Sequence, residues 1–133
     1  MQYASVVLLE SPDKKLICQL RDNIPNIRDP GKVSFFGGHS ELEDLDPVHT
    51  AIRELKEEIG LTFRRDQLEC LLVTEMAPSL KYPDLFIYLI KNVDPNVTVY
   101  EGSGPIIISK EDDLTKTNFA PLARFLINLY WGI

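Results

Sequence analysis

Between Asp46 and Gly60 the chain reads DPVHTAIRELKEEIG, a helix with both ends marked. Asp46 is a good N-cap, and Pro47 suits the first helical position, where its missing N–H costs nothing. Gly60 supplies the stop, because it alone adopts the left-handed conformation cheaply. Inside these limits Val48, Ile52, Leu55 and Ile59 recur at spacings of four, three and four, a single apolar stripe. A helix with one such stripe must be laid on something apolar, and the flanking segments provide it. YASVVLLE (Tyr3 to Glu10) and KLICQLRD (Lys15 to Asp22) are β-rich runs joined by the turn residues SPDK. QLECLLVTEM and DLFIYLIK follow the helix, and their near-continuous apolar character predicts strands buried on both faces. NVTVY and PIIIS flank a glycine-rich break, EGSG, and read as two further strands. APLARFLINLYWGI repeats Leu122, Phe125, Leu126, Leu129 and Tyr130 at helical spacing and predicts a second helix on the sheet. The expected fold class is therefore α/β, an α/β/α sandwich with a mixed central sheet. At 133 residues, 1–133 reads as one domain with a core of its own.

Composition narrows the partners. A net charge of −6 and a pI near 4.9 argue against phosphate-backbone binding, so no nucleic acid polymer is expected. An anionic small molecule stays open, because a bound divalent cation can invert the local field. Cys18 and Cys70 form no CxxC and read as two small buried apolar residues. The N-terminus has no basic region before its short apolar run, and no apolar stretch is long enough to span a bilayer. The expectation is a cytoplasmic protein with no membrane contact. A homodimer is left open, and no exposed apolar helix announces one.

The helix also crowds like charges. Glu54, Glu57 and Glu58 share an arc away from the apolar stripe, where repulsion at i,i+4 spacing opposes helix formation. Carboxylates at i, i+3 and i+4 can instead converge on a hard cation, for which carboxylate oxygen is the preferred ligand. Upstream, Gly37 and Gly38 read as a turn whose bare backbone could bring a carbonyl to the same ion. Arg53 can pair with Glu57 at i+4 and orient it.

RELKEEIGL, Arg53 to Leu61, resembles the second half of the Nudix box, G-x5-E-x7-R-E-U-x-E-E-x-G-U. The β-rich start, the PGKVSFFGG approach and the terminal amphipathic helix also resemble Nudix hydrolases, so the likeness spans nearly the whole chain. It implies magnesium or manganese as cofactor. The activity it implies is hydrolysis of a nucleoside diphosphate linked to another moiety, such as a nucleoside triphosphate or a nucleotide sugar. By this likeness Glu54, Glu57 and Glu58 are metal-binding carboxylates, Gly37 offers its carbonyl, and Arg53 positions a glutamate. Glu101, in YEGSGP, resembles the loop glutamate of mutator-type members and is a candidate general base.

The first half of the box carries one residue too many. Counting forward from Gly38, the expected glutamate falls on Asp44; counting back from Arg53, it falls on Leu45. The reading is that Leu45 bulges out and Asp44, ahead of Glu43, takes that place. The alternative function is a Nudix domain that binds a nucleotide as a sensor without cleaving it. For substrate contacts, Arg21 and Arg28 are candidates for phosphate, Gly38 for close backbone approach, and Tyr82 and Phe119 for stacking on a base. His39 could touch phosphate, whereas His49 faces solvent in the first helical turn.

Overall fold

The computed structural model describes residues 3–75 and 84–133. Its centre is β1 (Tyr3–Glu10), which turns at Ser11–Lys15 into the antiparallel β2 (Leu16–Leu20). The next extended segment breaks at Phe35. Its first part, β3 (Val33–Ser34), pairs with β2, and its second, β4 (Phe36–His39), pairs antiparallel with the start of β1. Helix α1 (Pro47–Ile59) crosses to β5 (Glu69–Thr74), which pairs antiparallel with β6 (Asp84–Ile90). β6 lies parallel to β1 over seven residue pairs, Tyr3–Asp84 to Leu9–Ile90. β7 (Pro105–Ile108) covers the other edge of β2, and helix α2 (Pro121–Trp131) closes the chain.

Alternation along β1 and β6 explains the layers, because successive strand residues point to opposite faces. Leu8, Leu85, Ile87 and Leu89 pack with Ala123, Leu126 and Ile127 of α2. Val7, Leu9, Tyr88 and Ile90 pack with Ala51, Leu55 and Ile59 of α1. The result is the α/β/α sandwich with a mixed sheet. Leu55 is fully buried, and truncating it to alanine would cost about 2–5 kcal/mol. No helix among the described residues is long and apolar enough to cross a membrane.

Five local expectations need correction. Gly37 and Gly38 are not a turn but part of β4, paired with Val6 and Ser5. β5 is not buried on both faces: among the described residues it is bonded to β6 alone, with a bulge between Cys70 and Leu72, and Leu71 and Val73 are exposed. Cys70 on that strand is exposed too, while Cys18 is buried as expected. NVTVY forms no strand, because Asp94 caps the Asn96 N–H and Pro95 removes a ladder donor, leaving a turn. Finally, α2 does carry an exposed apolar stripe, Leu122, Phe125 and Leu129.

Candidate active site

Helix α1 begins and ends as its sequence dictates. Asp46 accepts from the His49 N–H at 2.9 Å, and Gly60 closes the helix at φ 73°. Between them Glu54 and Glu58 are one turn apart on the side facing β4. Glu58 lies only about 60° round the helix from Leu55, at the edge of the apolar stripe. The expected exposed arc therefore fails at this residue: Glu58 is 5% exposed.

Two glycines allow that enclosure. Gly37 has φ +140°, and a Cβ there would come within 2.0 Å of the Ser5 carbonyl oxygen, so β4 can approach β1 only with glycine. At Gly38 a Cβ would meet the Glu54 carboxylate at 2.4 Å. The strand backbone thus leaves room for both acids. Gly37 donates its N–H to Glu58 Oε2 at 3.0 Å, and Gln19 Nε2 donates to Glu58 Oε1 at 3.3 Å. Burial pushes Glu54 up to about 7, opposed chiefly by Arg53. Burial likewise pushes Glu58 up to about 8, opposed by the Gly37 N–H and aided by the neighbouring acids.

The third acid arrives from far along the chain. Tyr100 donates its N–H to the Glu58 carbonyl at 2.7 Å, and Ser103 donates to Leu20 at 2.8 Å, so Glu101 hangs between two backbone anchors. Carboxylate oxygens of Glu54, Glu58 and Glu101 lie within 4.8 Å of one another. They stand beside a cavity of about 450 Å³, which Arg21, Arg28, Gly37, Gly38 and His39 also line. Three convergent carboxylates, one of them cradled against a glycine that no Cβ could replace, form a donor set suited to a hard divalent cation.

Arg53 organises the acids around it. Its Nε and Nη2 each reach Asp44 at 3.0 Å, Nη2 also donates to the His39 carbonyl at 3.1 Å, and Nη1 donates to Glu54 at 3.1 Å and Glu57 at 3.2 Å. Glu57 is thereby held at the exposed side of Arg53, outside the three-acid group. Asp44 accepts further from the Thr50 hydroxyl at 2.7 Å and the Glu41 N–H at 2.9 Å. The Arg53 hydrogen bonds hold its carboxyl well below the usual range, against the effect of burial. Leu45, beside it, is 84% exposed, and its N–H is taken up by His49 Nδ1 at 3.0 Å. The extra residue is accommodated there, before the helix.

The remaining substrate candidates separate. Arg21 Nε donates to the Arg28 carbonyl at 2.7 Å, tying the Asn23–Lys32 loop to the end of β2. Phe119 is not presented to a ligand: it is packed in the α2-side core with the Arg124 guanidinium over its ring, and it does not line the cavity. Tyr82 lies outside the described residues. Gln19 is the site-facing residue that sequence reasoning missed. Its only signal is a lone amide in an apolar strand, between Cys18 and Leu20.

A NUDIX domain family model matches residues 1–119, and the chain belongs to the Nudix family. Among curated relatives, human mitochondrial coenzyme A diphosphatase NUDT8 is 42% identical over 57 residues, 43% of this chain and 24% of that protein. The chain thus matches about a quarter of that relative's length. Among solved structures, a MutT NUDIX hydrolase from Burkholderia pseudomallei superposes with TM-score 0.72 at 16% identity, covering 96% of this chain and 95% of that one. A MutT protein from Methanosarcina mazei Go1 gives TM-score 0.67 at 17% identity, covering 98% and 91%. At these identities the structural likeness is one of fold.

Proposed function

We propose that this chain is a divalent-cation-dependent pyrophosphohydrolase. It cleaves a diphosphate linkage in a small nucleoside diphosphate derivative, a nucleoside triphosphate or a nucleotide sugar, and releases a nucleoside monophosphate. The observation that carries this reading is the convergence of Glu54, Glu58 and Glu101 beside a cavity lined by two arginines. Magnesium or manganese, when bound, neutralises diphosphate charge and lowers the pKa of an attacking water. Glu54 and Glu58 would hold the ion with the Gly37 carbonyl, and Glu57, at the solvent side, would serve it from further out. Glu101 would reach the same ion from its exposed loop and take the proton of the attacking water. Arg21 and Arg28 bind the terminal phosphate oxygens, and Gly38 lets the substrate approach the backbone closely. Arg53 touches no substrate and positions Glu54 and Glu57. The chain works as a soluble domain, and the exposed stripe on α2 is the candidate seam of a homodimer, which sedimentation would reveal.

The coenzyme A diphosphatase relative adds one diphosphate ester to the substrates worth trying. The test is a panel of nucleoside triphosphates, nucleotide sugars and coenzyme A with magnesium or manganese, run beside Glu54→Gln. Cation-dependent turnover that falls about 100-fold in the variant supports the reading. Tight nucleotide binding with no turnover in either protein would replace it with the sensor function.

A further inference from the structure

Gln19 does something its strand does not require. It sits in β2 opposite Ser34 on one side and Pro105 on the other, and it is 1% exposed. A buried amide is costly unless its hydrogen bonds are made, so an apolar residue would serve the core better. Both Nε2 hydrogens are used: one reaches Glu58 Oε1 at 3.3 Å, the other the Phe35 carbonyl at 3.2 Å. The orientation follows from chemistry, because the Phe35 carbonyl only accepts, and the nitrogen must face it. The amide oxygen, in contrast, is buried and has no hydrogen-bond partner. It points towards Gly102, where a Cβ would stand 3.0 Å from it. Gln19 therefore touches a helix acid with one end of its amide and abuts the Glu101 loop with the other.

The surroundings make this contact stiff. The flanking Leu20 bonds the same loop twice, to Ser103 and to Gly104, and Tyr100 bonds the Glu58 carbonyl. A change in the length or polarity of side chain 19 is thus transmitted to Glu58 and Glu101 together. We propose that Gln19 is a positioning residue of the carboxylate cluster. Its amide selects the rotamer of Glu58, and its bulk sets how near the Glu101 loop stands. This rests on the proposed function, in which those carboxylates hold a divalent cation.

The test compares wild type with Gln19→Met, which keeps the volume and removes both donors. Mn2+ binding to the intact chain is measured by electron paramagnetic resonance, beside a thermal melt without metal and steady-state kinetics. The expected result is a folded variant whose Mn2+ Kd rises roughly 10- to 100-fold, the range for groups that orient metal ligands. Its kcat falls while KM for the nucleotide holds. A folded variant with wild-type Mn2+ affinity and kcat would overturn the proposal and leave Gln19 a core residue. Should Gln19→Met fail to fold, Gln19→Asn decides: its amide stops a methylene short of Glu58, so the same loss is expected, and wild-type affinity overturns. If wild type binds Mn2+ but cleaves nothing, the hydrolase reading falls alone and the Mn2+ comparison still decides this one. If wild type binds no Mn2+, both fall.

Discussion

A Cβ on Gly38 would stand 2.4 Å from a carboxylate oxygen of Glu54, whereas a Cβ on Gly37 would stand 2.0 Å from the carbonyl oxygen of Ser5. Adjacent glycines are thus required for different reasons. Glu54 is the free end of a flexible side chain and can swing aside; the β1 backbone cannot. Gly38→Ala is expected to cost no more than about 1 kcal/mol in a urea melt while weakening Mn2+ binding roughly tenfold. Gly37→Ala, strained at φ +140° as well, is expected to lose upwards of about 4 kcal/mol. Equal losses at the two positions would refute the distinction.

Asp44 and Arg53 form a bidentate pair in which the Asp44 side chain is 1% exposed and that of Arg53 17%. Asp44→Asn is expected to cost about 2–3 kcal/mol, because it leaves the guanidinium short of its main partner. The pH dependence has a definite sign. A carboxyl held below its ordinary value of 3.8 contributes stability above that pH and loses it as the pH falls further. Acid titration of the melting temperature should therefore show a limb below about pH 4 that Asp44→Asn flattens.

Glu54 and Glu58 act in the opposite direction. Their folded values of about 7 and about 8 lie above the ordinary 4.5, so the folded state favours the protonated forms. Their contribution to stability is complete below about pH 4.5 and is lost as the pH rises through 7 to 8. A cation must displace those protons. Magnesium should raise the melting temperature more at pH 8.5 than at pH 6, and Glu58→Gln should shrink the difference. A magnesium shift independent of pH would mean that the two acids ionise normally.

Leu45 offers a cheap control on the extra residue. Its side chain is exposed, so Leu45→Ser is expected to change stability by less than about 0.5 kcal/mol and leave turnover intact. Deleting it removes the N–H that His49 accepts and draws Asp44 away from Arg53, so the deletion should lower both. Chemical denaturation of the pair, with turnover measured alongside, checks this.

Much of the fold was readable because its signals are local. The caps of α1 lie at Asp46 and Gly60, where they are read in the sequence, and the period of two in β1 assigns its residues to the two cores. Burial was less readable. Helical spacing places Glu58 only at the edge of the stripe, and the close passage of β4, permitted by Gly37, encloses it. β5 shows the converse: an apolar run states what could be buried, but the number of neighbouring strands decides. Within the site, the helix acids and the glycine-flanked Glu101 had patterns to announce them, although Glu57 stands apart on Arg53. Gln19 had only a lone amide in an apolar strand, since its partners are separated from it by 39 and 16 residues.

The three-acid group has a mechanical consequence. Glu54 and Glu58 belong to a helix, whereas Glu101 belongs to a loop on the far side of β5 and β6 in the chain. A cation shared by them would close a long circuit of polypeptide, as a disulfide does, but reversibly and at a concentration set by the surroundings. By mass action a hundredfold excess over Kd adds about 2.7 kcal/mol to the folded state. The ion that a hydrolase needs for turnover would then double as a removable staple, and a chelator would loosen the fold as it silences the site.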